Sequence, residues 1–304
     1  MISGDPHILT QGSEAYSRLE MQMTQVEQLD VFVWPQKHSW REISLVAQKN
    51  AYDVVTAQDP FWRGLIAWRV ALRVGTRLNL QVHTDILRES LLKRALARFL
   101  LPKADTIRVV SEKLKKHLEQ FKLRGTISVL PIYVETSHLA GLSHHQHPSF
   151  EKTLLWIGRF EKEKDPTYAL IVLKQVRDAG VNAGLIMLGA GSLERKLLEH
   201  AKSLMPYVEF PGWQDPKQYL EMANVVISTS LFESYGASII EALASGVPVV
   251  SPDVGIAREA GAVVVPKEKL SEAVIETLNF GKRGKLNLTM PSKEDWAKRW
   301  KETL

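Results

Sequence analysis

Two glutamates eight residues apart carry the densest chemistry in this chain. In STSLFESYGASIIEALASGVPVVSP (228–252), Glu233 ends a strand in a loop, and Glu241 lies two turns into the helix that follows. Ser234, Tyr235 and Gly236 make the passage from loop to helix. Free amides there, with the positive helix end, can hold a phosphate. Gly236 lets the backbone approach a ligand closely. Glu241 offers two acceptor oxygens, suited to a vicinal diol such as a ribose. Two carboxylates also suggest a general acid–base pair of the kind that works on glycosidic bonds. As a plain solvated helix residue, Glu241 would sit oddly among Ile239, Ile240, Ala242 and Leu243.

Other segments add weaker signals. WIGRFEKEKDP (156–166) ends a strand at Ile157, frees the backbone at Gly158 and projects Arg159 and Lys164. A planar fork and a compact point charge suit a diphosphate, and strand C-termini are where parallel sheets bind ligands. LIMLGAGSLERKL (185–197) reads strand, Gly-x-Gly, helix. Glu194 stands where the dinucleotide fingerprint needs a third glycine, so a tight turn explains Gly189 and Gly191 equally well. LQVHTD (80–85) sets His83 and Asp85 at a strand end, and DPHILTQGSEAYSR sets Gly12 and Ser13 before a helix, where a phosphate or sugar could approach. His144, His145 and His147 have no accompanying carboxylate or Cys ligand set, and linker composition explains them better.

Short β-branched runs alternating with helical patterns must position these groups. LDVFVW (29–34), YDVVTAQ (52–58), LNLQVHT (78–84), TIRVVS (106–111) and ISVLPIYV (127–134) read as strands, with helices over 62–75, 90–101 and 111–121. After a polar break at 136–152 the rhythm restarts: TLLWIGRF, GLIMLGAG, VEFPGW, NVVISTS, VPVVSP and AVVVP, again with helices between. Such alternation implies right-handed βαβ crossovers and parallel sheets, hence two doubly wound α/β domains whose ligand site is a cleft. Trp296 and Trp300, at i and i+4 in the last helical segment, form a buried anchor on one face.

Composition agrees. The chain has 304 residues, 45% of them hydrophobic and none of them Cys. That length suits two domains, and the missing Cys excludes disulfides, thiolate metal sites and cysteine nucleophiles. No apolar run approaches the ~20 residues of a membrane span, and MISGDPHILTQGSEAYSR lacks a signal peptide's plan, so a cytoplasmic location is expected. The whole net charge of +5 falls in residues 1–150, with 19 Lys and Arg against 14 Asp and Glu; residues 88–124 hold 11 against 4. A solvated face is the ordinary reading; anionic lipid is the functional one. Leu91, Leu92, Leu96, Phe99 and Leu100 could dip into a lipid interface, although packing on the sheet is their expected use.

At this point FESYGASIIEALASGVPVV resembles the signature of family-4 retaining glycosyltransferases, and Gly158-Arg159-Phe160-x-x-x-Lys164 resembles that family's diphosphate-gripping loop. The resemblance spans essentially the whole chain and is most specific over 153–260. It implies the GT-B fold: two Rossmann-like doubly wound domains facing across a cleft. An acceptor-side domain would cover 1–138, a linker 139–152 and a nucleotide-sugar domain 153–290, with a helix at about 292–304 packing back on the first. It assigns Glu233 to the donor sugar, Glu241 to the ribose, and Arg159 and Lys164 to the diphosphate, assisted by amides near Gly236 and Ala237. His83 matches the first-domain histidine, and Gly12 the loop below the donor. No cofactor is implied beyond a nucleoside-diphosphate sugar as donor substrate. Metal independence is expected, since the chain has no Asp-x-Asp motif and Arg and Lys serve the diphosphate. The implied partners are the donor and a saccharide, lipid-linked or small-molecule acceptor, with peripheral contact to an anionic membrane through 88–124 and no nucleic acid. The chain departs from the family in its very short first strand and its compact length. Two other classes fit the same scaffold: a sugar-nucleotide epimerase, which should carry acid–base carboxylates in both domains, and a non-catalytic nucleotide-sugar or glycan-binding module.

Overall fold

The computed structural model describes residues 1–35 and 37–304. It divides into two units: Met1–Tyr133 with Pro291–Leu304, and Val134–Met290.

The first unit is built on six parallel strands: β1 (Ile2–Ser3), β2 (Phe32–Val33), β3 (Val54–Ala57), β4 (Arg77–Val82), β5 (Thr106–Val109) and β6 (Thr126–Val129). Their order is β2-β1-β3-β4-β5-β6, so the winding reverses between β1 and β3. The 29–34 run shrinks to Phe32–Val33, because its only partner, β1, is itself two residues long. The helix Trp40–Lys49, not expected above, starts with a capping box in which Ser39 and Glu42 satisfy each other's backbone amides. The helix Leu91–Leu100 buries Ala97 and Leu100, with Leu101 just beyond it. Leu91, Leu92 and Phe99 remain exposed, against the expectation that they pack on the sheet. At 3.6 residues per turn the inward side runs through Ala97 and Leu100, and those three residues project from the other side of the helix.

One face of this sheet is polar. Thr56, Asn79, Gln81 and Arg108 are all buried. Side by side on the sheet, Thr56 lies opposite Asn79, Asn79 opposite Thr106, and Gln81 opposite Arg108. Their side chains bond across the strands: Thr56 Oγ1 to Asn79 Oδ1, Gln81 Nε2 to Thr56 Oγ1, Asn79 Nδ2 to Thr106 Oγ1 and Arg108 Nη1 to Gln81 Oε1. The helix Lys293–Glu302 belongs to this unit. Asn79 Nδ2 donates to the Thr303 carbonyl at 2.7 Å, and Trp296 Nε1 to the Pro131 carbonyl at 2.8 Å. Trp296 and Trp300 are buried with Leu130, flanked by Met21, Val26 and Leu29.

The second unit is also all parallel: β7 (Lys152–Ile157), β8 (Ala183–Leu188), β9 (Val208–Gly212), β10 (Val225–Ile227), β11 (Val249–Ser251) and β12 (Val263–Val264). The order β12-β11-β10-β7-β8-β9 is that of dinucleotide-binding sheets, with its reversal between β7 and β10. Apolar clusters cover both faces, which is why these strands are near-continuous Val, Ile and Leu runs. The stretch 139–152 is not a free linker. Leu139 and Phe150 are buried in the second unit's core, His147 stacks on Phe150 at 4.4 Å, and His144 Nε2 bonds the Ser245 carbonyl. Two well-spaced apolar residues suffice to dock an aperiodic segment, and its histidines serve that docking.

Trp300 is fully buried, yet its indole Nε1 has no partner. Trp300→Ala should cost about 3–5 kcal/mol, whereas Trp300→Phe, which also removes the unsatisfied donor, should cost under about 1.5 kcal/mol. Urea unfolding of the two variants checks this; equal losses would place Trp300 outside the core.

Candidate functional site

The reversal between β7 and β10 sets two loops side by side. After β7, Gly158 to Asp165 leads into the helix Pro166–Asp178; after β10, Ser228 to Gly236 leads into the helix Ala237–Ala244. Thr229 knits them: its hydroxyl accepts from the Trp156 indole at 2.9 Å and donates to the Lys164 and Asp165 carbonyls. The Leu231 amide donates to the Glu163 carbonyl at 2.8 Å.

These bonds bring Lys164 to Glu233. Lys164 Nζ lies 2.5 Å from Glu233 Oε1, and Ser230 Oγ donates to the same oxygen at 2.8 Å. Both charged side chains are largely buried, at 19% and 10% exposure. Arg159 does not join them. Its Nη2 bonds Glu163 at 2.8 Å, in a pair more than half exposed at the arginine and therefore weak. Such a pair leaves a guanidinium that an incoming anion can recruit.

The helix Ala237–Ala244 begins at Gly236 in the left-handed region, φ +103°, and no side chain caps it. Its first turn therefore offers amides to a ligand. Ile239, Ile240, Ala242 and Leu243 are buried, while Ala237, Ser238 and Glu241 are half-buried along one stripe. Glu241 thus shares the face of the helix start, as i, i+4 geometry requires. Ser234 is half-buried on the loop. The Tyr235 ring is buried, desolvation pushes its phenol up to about 12, and its carbonyl accepts from the Ile256 amide. The ring is core, and only its backbone belongs to the loop.

Gly-x-Gly at 189–191 proves to be a packing device. A Cβ on Gly189, at φ +147°, would sit 1.9 Å from the Gly158 carbonyl oxygen, and one on Gly191 would meet the Phe160 backbone. These glycines let the β8 loop press against 158–160 and hold it. Two contributions escaped the sequence reading. Lys267 pairs with Asp165 at 2.5 Å and lies over the Tyr168 ring, and Glu161 accepts from the Ser192 hydroxyl and amide, bonds that lower its carboxyl pKa. Lys267 comes from a remote turn with no local motif. Among the described residues, no group of three His, Asp or Glu is arranged to hold a metal.

In the first unit, His83 follows β4. Desolvation, with the Arg108 and Arg18 guanidiniums nearby, lowers its pKa to about 3, so the ring is neutral, and its Nε2 is buried without a partner. Asp85 is structural: it caps the turn Ile86–Arg88 and faces Arg88 and His117. Gly12, at φ +82°, is exposed, and Ser13 spends its hydroxyl capping the helix Glu14–Met23.

Two family models match successive stretches of the chain: "Glycosyltransferase Family 4" over residues 26–138 and "Glycosyl transferases group 1" over 151–279. An uncharacterized glycosyltransferase of Methanocaldococcus jannaschii is 32% identical over 162 residues, which are 49% of this chain and 40% of that protein. The alpha-monoglucosyldiacylglycerol synthase of Streptococcus pneumoniae is 25% identical over 68% of this chain and 53% of its own length. This chain thus spans about half or less of these relatives. Among solved structures, Anabaena HepE in complex with UDP and glucose superposes with a TM-score of 0.71 at 16% identity, covering 92% of this chain and 89% of that one. The fold is α/β, of the GT-B type.

The glycine contacts make a prediction. Gly189→Ala should lose about 1–3 kcal/mol of stability, because its Cβ would have to displace Gly158. Gly180→Ala, at φ +89° in open space, controls for backbone strain alone. Urea midpoints that match between the two variants would remove the packing role.

Proposed function

Because the chain belongs to the family-4, group 1 glycosyltransferases, we propose that it transfers a hexosyl group from a nucleoside-diphosphate sugar to an acceptor, with retention and without a metal ion. The observation that carries this reading is the joining of Lys164, Glu233 and an uncapped helix start by two loops at the sheet's reversal point. In this reading the diphosphate draws Lys164 and Arg159 onto its oxygens and rests against the amides at 236–238. Glu241 grips the ribose hydroxyls. Glu233, released from Lys164, accepts from the donor sugar's hydroxyls. The bond from the anomeric carbon to the phosphate oxygen breaks as one to the acceptor oxygen forms on the same face. The acceptor's proton passes to the leaving diphosphate, whose charge the cations and helix end stabilise.

Glu241→Ala should chiefly raise the nucleotide dissociation constant, and Glu233→Ala should chiefly depress turnover. Arg159→Ala and Lys164→Ala should each weaken diphosphate binding by roughly 1.5–3 kcal/mol, and activity should persist in excess chelator. A donor-panel assay with nucleotide titrations reads all of these. Epimer formation, binding without turnover, or activity restored only by Mn²⁺ or Mg²⁺ would overturn the corresponding part.

We further propose that the acceptor is lipid-linked and met at an anionic membrane. Leu91 and Leu92 are 80% and 64% exposed beside Lys93, Arg94, Arg98 and Lys103, with Phe99 and Leu72 also exposed. No helix among the described residues is long and apolar enough to cross a membrane, so the contact would be peripheral, with about 1 kcal/mol from each basic residue near the surface. The Streptococcus relative's name, a glucosyldiacylglycerol synthase, supports a lipid acceptor. At low salt the protein should co-sediment with anionic and not neutral vesicles, and Leu91→Glu with Leu92→Glu should reduce this. Equal recovery with both vesicles would sink it.

A further inference from the structure

A cavity of about 110 Å³ lies at the C-terminal edge of the first unit's sheet. Asp5 after β1, Gln58 after β3, His83 after β4, Arg108 on β5, Arg18 on the helix Glu14–Met23 and Trp296 on the C-terminal helix all line it. It therefore sits beside the reversal between β1 and β3, where sheets of this kind bind ligands.

Its charges are unbalanced. Arg108 is buried, and its hydrogen bonds run to neutral oxygens: Nε to the Leu130 carbonyl, Nη1 to Gln81 Oε1 and Nη2 to the Pro131 carbonyl. Its face lies 5.3 Å from the centre of the Trp296 ring. Those contacts fix the plane of the fork and use three of its five donors. Among the described residues Arg18 has a single ion pair, with Glu14 at 3.4 Å, and Glu14 is 84% exposed. Asp5 is the one carboxylate in the lining and accepts from the His7 amide. Two guanidiniums against one carboxylate, with a neutral imidazole, leave the cavity positive. Burial and the neighbouring Arg18 lower Arg108 to about 9, the direction expected of cations held together without a counter-ion. His83 Nε2 adds a buried polar atom with no partner among the described residues.

We propose that this cavity binds a phosphate-sized oxyanion carried on the acceptor, gripped by Arg18 and Arg108 with His83 as a neutral hydrogen-bonding partner. The proposal rests on the glycosyltransferase reading for the word acceptor and names the acceptor's chemistry: a phosphorylated or similarly anionic molecule. An oxyanion between the guanidiniums would supply the missing counter-charge through charge-assisted bonds. The cavity's size limits the bound group to a few heavy atoms, so the remainder of the acceptor lies outside it.

The test is calorimetric titration of the full chain with inorganic phosphate, glucose 6-phosphate, glucose and uridine diphosphate. Inorganic phosphate and glucose 6-phosphate should bind and glucose should not. Arg18→Gln should weaken both by roughly tenfold or more, with uridine diphosphate affinity unchanged and unaffected by saturating phosphate. Arg18 is the first variant because it lies at the rim, while Arg108→Gln, checked for folding, should abolish phosphate binding. No phosphate binding by the wild type, equal affinity in Arg18→Gln, or one-for-one competition between phosphate and uridine diphosphate would overturn the site. Binding of inorganic phosphate without glucose 6-phosphate would overturn its assignment to an acceptor. Failure of uridine diphosphate to bind the wild type would instead strike the glycosyltransferase reading and leave the phosphate arm to be judged separately.

Discussion

The pair of Lys164 and Glu233, drawn from loops 69 residues apart, is the contact on which the second unit's site depends. Two largely buried charges cost desolvation that their attraction repays only with good geometry and further hydrogen bonds. Ser230 on the carboxylate and Thr229 under the lysine's backbone supply those bonds. The pair holds Glu233 in place before any ligand arrives. It also cancels the lysine's charge, so long-range attraction for an anion must come from elsewhere: from Arg159, loosely held by Glu163, and from the uncapped helix start. In the proposed function, a diphosphate that took Lys164 would leave Glu233 in need of donors that sugar hydroxyls can provide, so that binding the phosphate end would favour binding the sugar end.

The signature over 228–252 was legible because its information is local. A glycine at a loop–helix junction, apolar positions at helical spacing and a glutamate at i+4 from the helix start dictate their own geometry. Pairings between distant segments were not legible. Lys267 meets Asp165 only because the turn Lys267–Lys269 folds back on the helix Pro166–Asp178, and no spacing encodes that. Arg159 shows how a near neighbour competes for a charge: Glu163 lies four residues on and pairs with it. The Tyr235 ring follows the apolar core, which its polar loop neighbours in the sequence do not announce. The 139–152 segment was misread because docking needs only Leu139 and Phe150, too few to make a period.

The two sheets share a plan and differ where it matters. In the second unit the strands flanking the reversal, β7 and β10, are buried by apolar clusters on both faces, so ligand chemistry is confined to the strand-end loops. In the first unit β1 is two residues long, and one face of β3, β4 and β5 carries Thr56, Asn79, Gln81 and Arg108. An arginine inside TIRVV was the signal available in the sequence, since a charged residue on a buried strand is rare unless paired.

That polar face is costly unless it serves a purpose. A sheet covered by a helix reaches the same packing more cheaply with Val and Leu, and a buried guanidinium without a counter-charge adds several kcal/mol of desolvation. The structure reduces that cost by ordering the network: Thr56, Asn79, Gln81 and Arg108 satisfy one another, and the C-terminal helix closes over them through Trp296. It stops short at the cavity, where His83 Nε2 keeps no partner and Arg18 has only an exposed one. A network that orients a cation so carefully and then leaves it unpaired is organised around a group that comes from outside, and the sign of the imbalance requires that group to be an anion.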